Sequence, residues 1–308
     1  MLQKLLPLPL FITIIFCYQI KGQTYVYPGQ HKFGYMAELF VGTYTIEAYS
    51  TNPLEFMHDG SANLINTLDN LRNSGTYFVA QTPVYDGGVV SSLWFGTNNV
   101  FTASEIIMFG GHGNEGLFQA WDNIVFFDGR SNGCSGCTNW SFGGTYGKWV
   151  FVDACQTAGH DDWQTYYAPV FNGIHALFGM DSNGWDGWHN HQSCFLWWCW
   201  ETDYWNSSYK WTYFAQNWTT GQQSMQSAYF NAVNKNLYQQ LHYDCVVAAV
   251  TINGWVWNSV TGNWEFYTGS LETENNVYSD QLYPYSNSTW NFQMFIKYSQ
   301  QFGSNPSY

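Results

Sequence analysis

Residues 148–157 read KWVFVDACQT, and residues 105–114 read EIIMFGGHGN. Each is a short apolar run that stops at small residues and then presents one chemically capable side chain, Cys155 in the first and His112 in the second. An apolar run without polar alternation predicts a strand covered on both faces, as in a parallel sheet under helices. NGIHALFGM (172–180) and CVVAAVTING (245–254) have the same character. In an open parallel sheet, sites form beyond the carboxyl ends of the strands. If the strands over 104–110 and 148–154 are neighbours, imidazole and thiol therefore arrive at one edge.

The flanking sequence supplies the rest of such a sheet. GTYTIEAYS (42–50) alternates like a strand, and GTYFVAQTPVY (75–85) is strand-like as well. Between them, SANLINTLDNLRNSG (61–75) puts Leu64, Ile65, Leu68 and Leu71 on one helical face, with Asp59 or Ser61 available as a cap. A second helix is predicted over 222–241, with Met225, Tyr229, Ala232, Val233, Leu237 and Leu241 along one side. VWNSVTGNWEFYTG (256–269) reads as a closing hairpin. Strand and helix signals alternate, which makes the chain α/β with a mainly parallel central sheet flanked by helices and a β-rich carboxyl-terminal addition. Residues 114–146 stand apart: a parallel crossover ordinarily carries a helix, and none is legible there.

The chemistry of the two stretches is complementary. A thiol is mostly protonated near neutral pH, and a neighbouring imidazole raises its thiolate fraction and can later protonate a leaving amine. Gly110, Gly111 and Gly113 let the backbone pass close to a substrate, and the Gly113 and Cys155 N–H groups are candidate donors to a developing oxyanion. Each residue has a plainer reading too. His112 can be a loop histidine after a Gly-rich turn, and Cys155 a small buried filler or half of a disulfide.

His112-Gly113 and Ala154-Cys155, each after an apolar strand, resemble the His-Gly and Ala-Cys motifs of the caspase-like cysteine peptidase clan of caspases, legumains and gingipains. The resemblance implies that His112 is the general acid/base, that Cys155 is the nucleophile, and that Gly113 with Cys155 forms the oxyanion hole. WQTYYAPVFNGIHALFGMDSN (163–183) and TTGQQSMQSAYFNAV (219–233) look like a secreted family assigned to that clan, through Trp163, Phe171, Gly173, His175 and Gly179. The likeness covers about residues 40–255 and implies a caspase-like α/β domain over 23–255, with a hairpin insertion in part of 114–146 such as legumains and caspases have; the residues that follow read as a hairpin-containing extension over 256–308. Nothing matches a caspase activation site or a substrate pocket of the clan. From the residues alone, Asp181 and Asp186, with Trp185 between them in FGMDSNGWDG (178–187), are pocket candidates for a Lys or Arg side chain. Turn-forming Asp residues are the alternative there.

Composition narrows the function classes. Residues 1–22, with Lys4, an apolar stretch and then Lys21-Gly22, read as a secretory signal peptide, the alternative being an uncleaved anchor. Its removal would move the net charge from −13 to −15. That acidity argues against nucleic acid or an anionic membrane surface as partner. With no later segment long and apolar enough to span a bilayer, the mature chain is expected outside the cell or on its surface; the resemblance implies a peptide or protein substrate and no cofactor. Sequons at Asn139, Asn206, Asn217 and Asn287 make it a candidate glycoprotein.

After residue 22 the cysteines are Cys134, Cys137, Cys155, Cys194, Cys199 and Cys245, enough for disulfides, though a free Cys155 leaves one of the others unpaired. Cys134 and Cys137 with His189, His191 and Cys194 suggest zinc less well than disulfides, since a second C-x-x-C or spaced His pair is missing, and no metal is expected. His160-Asp161-Asp162 reads as solvated loop, His175 as a hydrogen-bonded core residue, and CFLWWCWETDYW (194–205) as core, interface or a sugar-stacking strip. A catalytically silent surface or binding protein on the same scaffold is the rival function, because a fold does not fix an activity.

Overall fold

The two opening stretches become adjacent parallel strands at the centre of one sheet. The structure is a computed structural model and describes residues 37–70, 76–94, 99–127, 142–143, 147, 149–159, 171–172, 174, 176–184, 186–195, 197–220, 223, 225–239, 246–258, 263–268 and 291–298. The expected signal peptide, Cys134, Cys137, Asn139, His160, Asp161, Asp162, Trp163, Gly173, His175, Trp185, Cys245 and Asn287 lie outside the described residues.

In chain order the elements are β1 (Ala37–Thr45), α1 (Met57–Asn70), β2 (Thr76–Ala80), β3 (Val84–Tyr85), β4 (Ile106–Gly110), β5 (Gly113–Asn114), β6 (Leu117–Gln119), β7 (Ile124–Phe126), β8 (Phe142–Gly143), β9 (Trp149–Asp153), β10 (Phe171–Asn172) and β11 (Ala176–Met180). There follow β12 (Trp188–Phe195), β13 (Trp198–Asn206), α2 (Tyr209–Thr219), α3 (Met225–Gln239), β14 (Val246–Asn258), β15 (Asn263–Thr268) and β16 (Asn291–Tyr298). The central sheet runs β15–β14–β11–β9–β4–β1–β2, with β16 paired along β14 and β3 along β1. From β2 to β11 every pairing is parallel; β14 joins β11 antiparallel and carries β15 and β16, also antiparallel. The chain is thus mixed α/β with a mainly parallel central sheet flanked by helices. The carboxyl-terminal strands extend this same sheet, and residue 255 falls inside β14.

The apolar runs are explained by two-sided burial. With side chains alternating along a strand, Ile106, Met108, Trp149, Phe151 and Phe178 meet α1, α2 and α3 on one face. Ile107, Phe109, Val150, Val152 and Leu177 face the other way. That second face is covered by 3-10 turns at Ser91–Trp94 and Val100–Thr102 and by a small antiparallel sheet, β5–β6–β7. This sheet lies in the crossover from β4 to β9, the stretch expected to hold a hairpin insertion. Phe118 of β6 is its anchor: it is fully buried against Phe109 and Trp94, with ring centroids 4.3 and 4.7 Å away. Fully burying each such side chain contributes about 1.5–3 kcal/mol.

Two readings shift in detail. The strand expected over 42–50 is β1 and stops at Thr45, so residues 46–49 are free to enter a loop. Helix α2 has no counterpart in the sequence reading. Its buried residues include Lys210, Trp211, Tyr213, Phe214 and Trp218, and aromatics of this kind do not favour helix on their own. Packing of these rings on Phe151 and Tyr229 holds it in place. Among the described residues, no helix is long and apolar enough to cross a membrane.

Candidate active site

Adjacency of β4 and β9 in register, Gly110 opposite Asp153, sends both strands out at one edge. The Gly111 N–H donates to the Asp153 carbonyl at 3.1 Å, so the chain stays in contact one step beyond the strands. Two residues further, Gly113 lies on the backbone of the Cys155 turn. A Cβ built on it would come within 2.5 Å of Thr157 Cγ2, 2.8 Å of Ala154 Cβ and 3.1 Å of the Cys155 carbonyl oxygen. Only glycine fits this approach. The sequence therefore brings His112-Gly113 and Ala154-Cys155 to one place.

Cys155 is half-buried and carries a free thiol. Its Sγ makes a long contact, 3.9 Å, to the Gly184 carbonyl. The turn that follows is tightly held: Gln156 takes a left-handed φ of 54° and its N–H donates to the Ser182 carbonyl at 2.8 Å. Thr157 donates its hydroxyl to the Val152 and Ala154 carbonyls. A non-glycine residue in that conformation stores about 1–2 kcal/mol of strain, which the surrounding bonds offset.

His112 is half-buried, and its ring is held from two sides. Nε2 lies 2.6 Å from the Asn52 carbonyl oxygen. A carbonyl only accepts, so Nε2 is the donor here, and in the neutral ring Nδ1 is then the acceptor. The Tyr49 ring packs at 4.4 Å between centroids, tilted by 43°. The Tyr49 hydroxyl accepts the His112 N–H at 3.1 Å and donates to the Gln119 carbonyl at 2.9 Å. Burial pushes the Tyr49 hydroxyl well above its ordinary range, so it remains a donor across neutral pH.

The Gly113 N–H is left available by the ladder it belongs to. Gln119 donates to the His112 carbonyl at 2.9 Å, which makes Gly113 and Phe118 the non-hydrogen-bonded pair of the β5–β6 hairpin. Gly113 thus keeps an N–H outside this ladder, on a stretch of backbone that lies against the Cys155 turn.

The residues expected to form a pocket are placed differently from one another. Asp181 is buried, and Trp185 is outside the described residues. The Asp186 carboxylate accepts from the Glu55 N–H at 2.6 Å, the Phe56 N–H at 3.4 Å and the Ser207 hydroxyl at 2.7 Å. It is committed to the protein's own donors. Among the described residues, no group of three His, Cys, Asp or Glu side chains is arranged to hold a metal ion.

Asn52, Tyr49 and Gly184 were not singled out from the sequence. The Asn52-Pro53 dipeptide does signal a turn, and Asn52 adopts a left-handed φ of 55°. The 46–56 segment is fixed where it leaves β1. Asp86 accepts the Glu47 and Ala48 N–H groups at 2.8 and 3.0 Å, and His58 bridges Glu47 at 3.1 Å and Asp86 at 3.4 Å. Burial alone would raise the Asp86 carboxyl, but those two N–H groups and His58 outweigh it and hold it below its ordinary value.

The sequence matches no family model and no curated protein, the secreted family suggested by residues 163–183 and 219–233 included. A solved structure of pro-Sf-caspase-1 aligns with 69% of this chain and 86% of its own, at a TM-score of 0.40 and 13% identity. At that level the likeness assigns nothing, and function has to be argued from the chain's own residues.

Proposed function

We propose that the chain is a secreted cysteine endopeptidase on a caspase-like scaffold, with Cys155 as nucleophile and His112 as general acid/base. The observation that carries this reading is that Gly113, next in sequence to His112, lies on the backbone of the turn bearing the free Cys155 thiol, while the His112 ring donates from Nε2 and leaves Nδ1 as the nitrogen that can accept a proton. The thiol proton passes to Nδ1 as Sγ bonds to the peptide carbonyl carbon. The carbonyl electron pair moves onto oxygen, facing the N–H groups of Gly113 and Cys155. Collapse of this intermediate breaks the C–N bond, and the proton on Nδ1 goes to the departing amine. Water then gives a proton to Nδ1 and its oxygen to the thioester, which releases the carboxylic acid product and restores the thiol. No cofactor takes part.

The test is labelling of the secreted protein with a thiol-reactive peptide probe, alongside peptide hydrolysis. Wild type is expected to label, and Cys155→Ala not to. His112→Ala should lose about 10²–10⁴-fold in kcat/KM, the usual contribution of a positioned acid/base. Equal labelling of all three proteins overturns the reading. Secretion is supported by the leader-like residues 1–22, and amino-terminal sequencing of the mature chain should begin near Gln23. Cys194 stands directly opposite Cys199 in the β12–β13 ladder, a pairing that supports a disulfide readable by non-reducing mass spectrometry.

The second reading is a catalytically silent binding protein. It draws on Trp197 and Trp198, 85% and 72% exposed at the turn between β12 and β13. An unlabelled, folded wild type would favour it.

A further inference from the structure

The imidazole and the thiol each lean on a backbone carbonyl, and the two carbonyls belong to loops far apart in sequence. Asn52, which meets His112, lies in the 46–56 segment; Gly184, which meets Cys155, lies in the segment after β11. One side chain joins the two. Asp186, two residues beyond Gly184, accepts the Glu55 N–H at 2.6 Å and the Phe56 N–H at 3.4 Å on one oxygen. Its other oxygen accepts the Ser207 hydroxyl at 2.7 Å, and Ser207 donates its own N–H to the Gly187 carbonyl at 2.9 Å.

Resting on the proposed dyad, we propose that Asp186 is a positioning residue for it, setting the distance between the loop that orients His112 and the loop that borders Cys155. The physical case has three parts. First, a carboxylate accepting backbone N–H groups just ahead of α1 makes charge-assisted bonds and meets the positive end of that helix, so the link is stiff. Second, the 46–56 segment is tied at its start by Asp86 and by the Leu54 N–H to the Glu47 carbonyl at 3.1 Å, so at its far end the tie to the Cys155 side runs through Asp186. Third, Ser207 sits three residues before Lys210, whose Nζ bonds Asp153 at 2.7 Å beneath the Cys155 turn. The same anchor therefore references both loops to the end of β9. A misplacement on the order of 1 Å between two catalytic groups can cost ~10²-fold in rate, so a tie of this kind has a measurable effect.

The experiment reads the thiol without requiring a substrate: the pH profile of Cys155 alkylation by iodoacetamide in wild type, His112→Ala, Asp186→Ala, Asp186→Asn and Ser207→Ala, with thermal unfolding of each. In wild type the rate at pH 6 should exceed that of His112→Ala, since the imidazole supports the thiolate. Asp186→Ala is expected to move the profile toward that of His112→Ala, by about tenfold at pH 6, a fraction of the full misplacement cost. Asp186→Asn, which keeps an acceptor oxygen, should fall between, and Ser207→Ala should shift it least while remaining folded. If Asp186→Ala does not fold, the Asn and Ser207 variants decide. Profiles of the folded Asp186 and Ser207 variants that superimpose on wild type overturn the positioning role and leave the dyad standing. A wild-type profile indifferent to His112→Ala overturns the dyad, and the positioning role falls with it.

Discussion

Gly113 shows how a single residue can hold a site together by lacking a side chain. Its missing Cβ leaves room for Thr157 Cγ2 and Ala154 Cβ, which would otherwise stand at 2.5 and 2.8 Å. Gly113→Ala should therefore push the His112 stretch away from the Cys155 turn and destabilise the fold by about 1–3 kcal/mol, as overpacking does. Gly184→Ala is the control, because its nearest neighbour is Met180 Cγ at 3.6 Å, an ordinary contact. Urea midpoints of the two variants check this, and equal midpoints would show that the Gly113 approach is not tight. His112-Gly113 and Ala154-Cys155 were legible in the sequence because short motifs at strand ends have a local signature. The Asn52 carbonyl was not, since every residue has a carbonyl and only the path of the chain chooses one.

At the scale of elements, the central strands and the helices were readable to different degrees. β4, β9 and β11 are buried on both faces, so their apolar runs stand out without any knowledge of neighbours. α1 and α3 show a regular apolar side. α2 does not, because its inner face includes Lys210 with Nζ paired to Asp153 at 2.7 Å, both side chains 4% exposed, beneath the end of β9. Trp211 Nε1 also donates to Asp153 at 3.2 Å. Removing one partner of a buried pair leaves an uncompensated charge, so Lys210→Met should cost about 3–5 kcal/mol. The double variant Lys210→Met with Asp153→Leu should recover much of this, less the cost of an orphaned indole N–H of about 1–3 kcal/mol. Chemical denaturation of the two variants measures the difference. A double variant no more stable than the single would show that the pair is not the term that matters.

For the whole molecule, acidity is the property that acts at long range. With a net charge of −13 the chain should draw basic peptides and repel acidic ones. If the proposed activity is present, kcat/KM for Lys- or Arg-containing peptides should fall as ionic strength rises from about 0.01 to about 0.15 M, where the screening length shortens from ~30 to ~8 Å. A neutral peptide should be unaffected; parallel salt curves for the two would remove any role for the field in substrate choice. The α/β class, the central strands and the two motif ends were determined by the sequence itself, because burial on both faces of a strand leaves an unbroken apolar run and burial on one side of a helix leaves a period of 3.6, each visible within a few residues. The crossover sheet β5–β7 was legible in the residues as the lack of a helix, and as a hairpin insertion only through the resemblance. What holds the two motifs in place was decided by tertiary structure: Tyr49 on the His112 ring, the carbonyls of Asn52 and Gly184, and the Asp186 bond to a backbone N–H 131 residues away in sequence. Such contacts join backbone groups common to all residues across long separations, so no local pattern encodes them, and they exist only once the sheet has brought the loops together.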